Sequence, residues 1–464
     1  MNKVMNIKKL TITACVVVLI ITTFPLTSKA YEDNFNQDQS GAKIPNQFIV
    51  VFHDDLDDPR SVAEEMAAKN GLLLNNIYTK AIKGFAATIP PGRFKSVESD
   101  NRVNYIEPDL KVFALKPPPN GPPNGGGSNG GNNQPPQFIP TGVRRIGANS
   151  PTSTAKINGI EDPMDVDIAI IDTGLDTAHP DLNVFKHVRC SGTGKNIDQH
   201  GHGSHVGGIA AAKDNGIGVV GVAPGARLWG VKVLDATGSG TLGCVIAGVD
   251  YVTSHSNEIE VANMSLGFQG SSDALDTAIT NSVKSGVTYT VAASNDLDFI
   301  DLYSPAYHPD VITVSAITDT DGKGGGSGDS SSWGGADLNG DLVDDGQDDS
   351  FAWFSNFGGC WEKDVEIAAP GVDIYSTWLG GSYNTVSGTS MSAPHAAGAA
   401  ALVKVMNPGA KPLDVRNYLR SSGITSGTDY FTDDPDIIYE VIHELFCEQT
   451  PPQEPLLNVS SCCL

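Results

Sequence analysis

Between residues 137 and 444, short apolar runs of strand length alternate with stretches of helical periodicity. The strands fall at 166–171, 228–233, 261–265, 288–293 and 311–316, and the helices at 205–212, 242–252, 273–285 and 392–405. Strands that alternate with helices in this way predict an α/β fold, a mostly parallel sheet with helices on both faces. Ligand and catalytic groups in such sheets gather at the carboxyl ends of the strands.

A smaller α/β unit precedes this domain, at 44–114. Its strands read as 47–52, 84–89 and 103–106, and its helices as 61–70 and 93–99. About 70 residues make a marginal core, so the unit needs a partner surface. The segment 115–136, rich in Pro, Gly and Asn, reads as a linker, and 446–464 as a tail without a fold signal. Lys3, Lys8 and Lys9, an apolar run and Ser28-Lys29-Ala30 have the order of a secretory signal peptide over 1–30, with a polar, disordered segment at 31–43. Export is therefore expected, and no stable membrane anchor. Cys15 leaves with the leader, and the six cysteines that remain permit 15 pairings, among which the sequence does not choose.

Charge narrows the partners. From residue 137 onward there are 16 basic against 41 acidic residues. Nucleic acid is excluded, because phosphate binding needs a basic patch. Bound cations and basic peptides remain compatible.

Three segments carry chemistry. Asp167-Ile-Ala-Ile-Ile-Asp172-Thr-Gly174 is an apolar strand ending in an acid and a glycine turn. His200-Gly-His202-Gly-Ser-His205 opens a helix of small residues. In Ser387-Gly-Thr389-Ser390-Met391-Ser-Ala-Pro394, a serine stands where a loop enters a helix, and a helix N-terminus favours developing negative charge. The cluster Asp198, His200, His202 and His205 has a rival reading as a zinc site. It lacks both an HExxH pattern and a CxxC pair.

In the order Asp, His, Ser, these segments resemble the subtilisin-like serine proteases, whose chain order the general triad template also gives. The likeness spans 137–445 and includes Val222-Ala-Pro-Gly, Val231-Lys-Val-Leu, Asn263-Met-Ser-Leu-Gly267 and Ile367-Ala-Ala-Pro-Gly371. It implies Ser390 as nucleophile, His202 as general base, Asp172 as its orienting carboxylate and Asn295 as oxyanion donor. It implies that Gly238-Ser239-Gly240 and Ser265-Leu266-Gly267 flank an extended protein or peptide substrate. Ser294 stands where the family has glycine, beside the primary specificity pocket.

The resemblance further implies a structural calcium site from Gln137, Asp181, Lys213, Asn215, Ile217 and Val219. A mixed set of oxygens suits calcium. Asp337, Asn339, Asp341 and Asp345, in an acidic insert, have the alternate-residue spacing of a second calcium loop. The unit at 44–114 resembles the family's ferredoxin-like inhibitory propeptide, through Gly84-Phe-Ala-Ala and Val103-Asn-Tyr-Ile-Glu107-Pro-Asp109. Together these imply a secreted, autoprocessed serine endopeptidase held by its own propeptide. The alternative is a catalytically inactive subtilisin-like binding scaffold, against which the complete set of Asp172, His202, Ser390 and Asn295 argues.

Overall fold

The computed structural model describes residues 41–115, 134–190, 192–324, 326, 328–332, 347–358, 365–423 and 456–459. The expected leader at 1–30 lies outside the described residues, as do Asp337, Asn339, Asp341 and Asp345, and Cys360, Cys447, Cys462 and Cys463.

The smaller unit comprises β1 (Lys43–Phe52), α1 (Pro59–Asn70), β2 (Leu73–Tyr78), β3 (Gly84–Thr88), α2 (Phe94–Glu98) and β4 (Val103–Ala114). Its strands are antiparallel in the order β4-β1-β3-β2. Helix α1 begins where the Asp58 carboxylate accepts the Ser61 amide at 3.1 Å, and ends at Gly71 with φ of 68°. Alternation along β1 divides its side chains. Val50 and Phe52 pack with Met66, Phe85 and Val97 in the unit's own core, while Ile49 and Val51 pack into a core shared with the larger domain. One face of this sheet is thus completed only by docking.

Two departures from expectation have local causes. Strand β2 went unread because Asn75 and Asn76 interrupt its apolar pattern. Strand β4 continues past 106 to Ala114 because Glu107, Pro108 and Leu110 pair with β1 and its last four residues pair with strands of the larger domain, partners remote in sequence.

The larger domain adds α3 (Thr141–Arg145), β5 (Asp167–Asp172), β6 (Val184–Arg189), α4 (His202–Ala211), β7 (Arg227–Lys232), β8 (Ser239–Thr241) and α5 (Leu242–Ser254). There follow β9 (Val261–Met264), β10 (Leu266–Gln269), α6 (Asp273–Lys284), β11 (Thr288–Ala292), β12 (Tyr303–Ser304), β13 (Ile312–Ile317) and β14 (Ile367–Pro370). Last come β15 (Ile374–Trp378), β16 (Ser382–Val386), α7 (Thr389–Met406) and α8 (Pro412–Ser422).

Seven parallel strands form the central sheet, in the order β14-β13-β11-β9-β5-β7-β6. In β5, Ile168 and Ile170 pack in one core with α4 and α7, and Ala169 and Ile171 in the other with α5 and α6. This is the expected α/β sheet with helices on both faces. A disulfide joins Cys190, after β6, to Cys244 in α5, with Cα atoms 5.7 Å apart. Sequence alone had left that pairing open.

The described residues of the connecting segments bond to the folded units. Gly41 donates its amide to Gln269 at 3.2 Å, Gly218 donates to Pro135 at 2.8 Å, and Leu115 is buried. In the tail, Leu456, Leu457 and Val459 are fully buried, and Leu457 donates to the Ala368 carbonyl at 2.8 Å. Three apolar residues in a polar stretch are enough to cover the outer edge of β14.

Candidate active site

Asp172 is the last residue of β5, at the carboxyl end of a central strand. Its carboxylate contacts His202 Nδ1 through both oxygens, at 2.8 and 3.0 Å, and accepts the Thr173 amide at 2.6 Å. His202 opens α4. Gly203 behind it is required, because a Cβ there would stand 2.1 Å from the Gly174 carbonyl oxygen. The α4 N-terminus is held by Asp198, which accepts the amides of His200 and Gly201 on one oxygen and the amide and hydroxyl of Ser204 on the other. Burial disfavours a charged His202, but the charge and hydrogen bond of Asp172 outweigh it and raise the imidazole above its ordinary pKa. His202 Nε2 is buried and has no hydrogen-bond partner.

Ser390 lies in the first turn of α7 and is 1 % exposed. Its hydroxyl donates to the Ser265 carbonyl at 3.3 Å, and the Ser265 hydroxyl returns a bond to the Ser390 carbonyl at 2.9 Å. Asn295 follows β11. Its Oδ1 accepts the amide and hydroxyl of Thr389 at 2.9 and 2.8 Å, which turns Nδ2 towards Gly388. Gly388 has φ of 147°, and a Cβ there would stand 3.1 Å from that Nδ2. Ser294 has φ of 95°, a conformation in which glycine is at ease and serine is strained. Its hydroxyl donates to Asp296 at 2.7 Å.

Both expected substrate-flanking segments border one strand, and that strand is β4. Val112 pairs with Gly240 and Phe113 with Ser239 on one side; Phe113 pairs with Gly267 and Ala114 with Leu266 on the other. The Ala114 amide donates to the Gly238 carbonyl at 2.8 Å. The same interface includes carboxylates that sequence reasoning missed. Asp109 accepts the Gly243 amide at 2.9 Å at the start of α5, and burial pushes its carboxyl up to about 6. Asp250, near the end of α5, accepts the amides of Thr79, Lys80 and Ala81 at 2.6–3.1 Å. No local pattern marks Asp250, since its partners lie some 170 positions away in the chain.

Of the residues expected to bind calcium, Asp181 is fully buried. Its Oδ2 accepts the Val219 amide at 3.0 Å and the Tyr383 hydroxyl at 3.2 Å, while Oδ1 has no hydrogen-bond partner. Burial pushes its carboxyl up to about 7. Lys213 donates its amide to the Asp181 carbonyl at 3.0 Å, and the loop through Asn215, Ile217 and Val219 turns on Gly216 and Gly218 at φ of 84° and 59°. Gln137 reaches this loop with its side-chain oxygen directed at the amides of Asn215 and Gly216. An orphaned, buried carboxylate oxygen beside a curled loop fits a cation that takes oxygen ligands.

The histidine cluster does not assemble as a zinc site. The Asp198 oxygens are taken up by α4, and His205 Nε2 bonds the carbonyls of Ile374 and Asn384, each at 3.0 Å. Among the described residues, Asp319, Asp321 and Asp348 are the set whose ligand atoms gather within 4.8 Å, and they flank the acidic insert.

Comparison with known proteins identifies the family. The subtilase family model matches residues 164–435. Subtilisin NAT of Bacillus subtilis subsp. natto is 32% identical over 76% of this chain and 78% of its own. Subtilisin of Bacillus pumilus is 35% identical over 64% of this chain and 95% of its own. A solved cold-adapted subtilisin-like serine proteinase matches at 33% identity with a TM-score of 0.49, over 63% of this chain and 93% of its own. On the family match and the sequence relatives, the chain belongs to the subtilase family of serine peptidases.

Proposed function

We propose that this chain is a secreted serine endopeptidase, made as a precursor that processes itself. The observation that carries the reading is the buried Asp172–His202 pair, its outer imidazole nitrogen unpartnered, at the strand ends where α7 presents Ser390. Rotation of the Ser390 hydroxyl away from Ser265 hands its proton to His202 Nε2, and catalytic hydrogen bonds commonly tighten only with substrate bound. The oxygen then attacks the peptide carbonyl. His202 passes the proton to the leaving amine, Asp172 stabilises the imidazolium, and water repeats the sequence on the acyl-enzyme. Asn295 Nδ2 and the α7 N-terminus stabilise the tetrahedral oxyanion.

Calcium would be held by Asp181 and the loop through Lys213, Asn215, Ile217 and Val219; Gln137, expected among the ligands, accepts the amides of Asn215 and Gly216 with its side-chain oxygen and shapes that loop instead. Its contribution is structural. Export is supported by the leader pattern and by the Cys190–Cys244 disulfide, which persists in oxidising compartments. Among the described residues no helix is long and apolar enough to cross a membrane. No observation favours the inactive-scaffold reading.

The test is labelling with a serine-directed fluorophosphonate, followed by peptide mapping. The expected result is one adduct on Ser390 with loss of casein hydrolysis, and no effect of a zinc-selective chelator. Full activity in the labelled protein would overturn the proposal.

A further inference from the structure

We infer that Lys232 is a positioning residue of the active site: its buried ammonium clamps the turns on either side of Asp172 and sets a positive charge behind the Asp172–His202 pair. This inference rests on the peptidase reading above and goes beyond it. It gives a role to the segment Val231-Lys-Val-Leu, which takes no part in the chemistry already described.

Lys232 ends β7 as Asp172 ends β5, and the two are register partners across the parallel ladder. The Lys232 side chain is fully buried. Lysine is almost never buried so completely unless its charge is compensated, because an ammonium is costly to desolvate. Two carbonyl oxygens hold it here, Thr173 at 2.6 Å and Leu234 at 2.9 Å. Burial works against the charge, and the carboxylates of Asp198, Asp172 and Asp235 compensate it.

Both carbonyls belong to turns that grip catalytic groups. Thr173 donates its amide to the Asp172 carboxylate at 2.6 Å and its hydroxyl to Asp198 at 3.0 Å. The same hydroxyl accepts the amide of Gly203, next to His202, at 2.9 Å. On the other side, the amides of Val233 and Leu234 donate to the Asp172 carbonyl at 2.9 and 3.2 Å. Asp172 is thus held by two segments whose own carbonyls meet on one ammonium. Without that ammonium, two buried carbonyls would lose a shared donor and the turns would lose their common anchor.

The charge also acts at a distance. Burial disfavours a charged His202, and Asp172 and Asp198 favour it. Two unopposed carboxylates would hold the imidazole protonated, and a protonated imidazole cannot take the Ser390 proton. Lys232 opposes both. Burial and this ammonium together disfavour charge on the neighbouring His187 and His200. The titratable groups around the centre are therefore Asp172 on β5, His187 on β6, Asp198 and His200 ahead of α4, His205 within α4, and Asp235 after Lys232. Lys232 is the cation among them.

The experiment compares pH profiles of kcat and kcat/KM for mature parent, Lys232→Met and Lys232→Gln on a peptide substrate. Each enzyme is counted by fluorophosphonate titration of Ser390. Methionine fills the volume without charge or donor, whereas glutamine removes the charge and keeps an amide donor. A unit charge about 10 Å away shifts a pKa by about one unit at an effective dielectric of about 20. The acid-limb midpoint should therefore rise by about one pH unit in both variants. Plateau kcat should fall at least about 10-fold in Lys232→Met and less in Lys232→Gln, because small misplacements of catalytic groups are costly. KM should stay within about 3-fold of the parent, since Lys232 is buried behind the site. A merely structural lysine would lower stability or kcat and leave the midpoint in place. An unmoved midpoint in the titratable variants overturns the inference. So does failure of both variants to give titratable enzyme, which would make Lys232 a folding residue. A parent enzyme that the fluorophosphonate does not label at Ser390 defeats the peptidase reading itself.

Discussion

His202 and Asp172 meet through Nδ1 and both carboxylate oxygens, at 2.8 and 3.0 Å, with Asp172 sealed from solvent. The pairing decides which form of the imidazole is stable. Burial alone would favour the neutral ring, yet the Asp172 charge reverses this and raises the pKa. A general base must be neutral to act, so activity is present above that pKa and is lost as pH falls through it. The acid limb of kcat/KM should therefore have its midpoint above the ordinary histidine value of about 6.5. Asp172→Asn removes the charge, and should lower that midpoint while cutting kcat by about 10⁴-fold. A pH–rate profile checks both, and an unmoved midpoint would contradict the role given to Asp172.

Ser390→Ala should abolish turnover while leaving the fold intact. The side chain loses one oxygen, whose hydrogen bond to the Ser265 carbonyl is a long one at 3.3 Å. Loss of a triad nucleophile costs orders of magnitude in rate. Casein hydrolysis should fall below detection, the precursor should keep its full mass, and its circular dichroism should match the parent. Residual turnover within about 10-fold of the parent would remove Ser390 from the mechanism.

The fold class and the elements around the site were legible because each is written locally. The run ending at Asp172 is apolar and continuous, and the segments at His202 and Ser390 pair a reactive residue with small neighbours that permit close packing. What was not legible depended on distant partners. The second half of β4 mixes Glu107, Pro108, Asp109 and Lys111, and becomes strand because Glu107, Pro108 and Leu110 pair with β1 and its end with β8 and β10. The Cys190–Cys244 pairing follows from how the larger domain folds and the role of Asp250 from docking, and no window of the sequence contains either. The strain at Ser294 was legible in part: its sequence context marks the position, but the left-handed backbone that explains the family's glycine is set by the fold around it.

Removing calcium should destabilise the mature enzyme. The motivation is Asp181, fully buried with one carboxylate oxygen unpartnered. A cation that binds only the folded state, at 100 times its Kd, adds about 2.7 kcal/mol. For a domain of this size, unfolding with about 2.1 cal/mol/K of entropy per residue, that corresponds to a melting shift of about 4 °C. Thermal unfolding of mature protein inactivated by the fluorophosphonate, with and without chelator, measures it. Asp181→Ala should lower the melting temperature and lose most of the chelator response. An undiminished response in that variant would place the cation elsewhere.

Asp250→Ala should release active enzyme sooner without altering the enzyme once free. Asp250 belongs to the larger domain, but its carboxylate accepts the amides of Thr79, Lys80 and Ala81 in the smaller unit. Hydrogen bonds to a charged group contribute about 1.5–3 kcal/mol, and unpaired buried amides add a penalty. Removing the carboxylate should therefore weaken the cleaved complex by at least about 10-fold. Catalysis itself is spared, because Asp172, His202 and Ser390 lie at strand ends and helix starts that Asp250 does not touch. After self-cleavage the bound unit delays activity until it dissociates or is digested, so a weaker complex means a shorter lag. The measurement is the lag before casein hydrolysis by freshly processed precursor, together with kcat/KM after the lag has ended. The expected outcome is a shortened lag with unchanged kcat/KM. An unchanged lag would show that docking does not depend on this carboxylate, and a fall in kcat/KM would place Asp250 in the catalytic machinery instead.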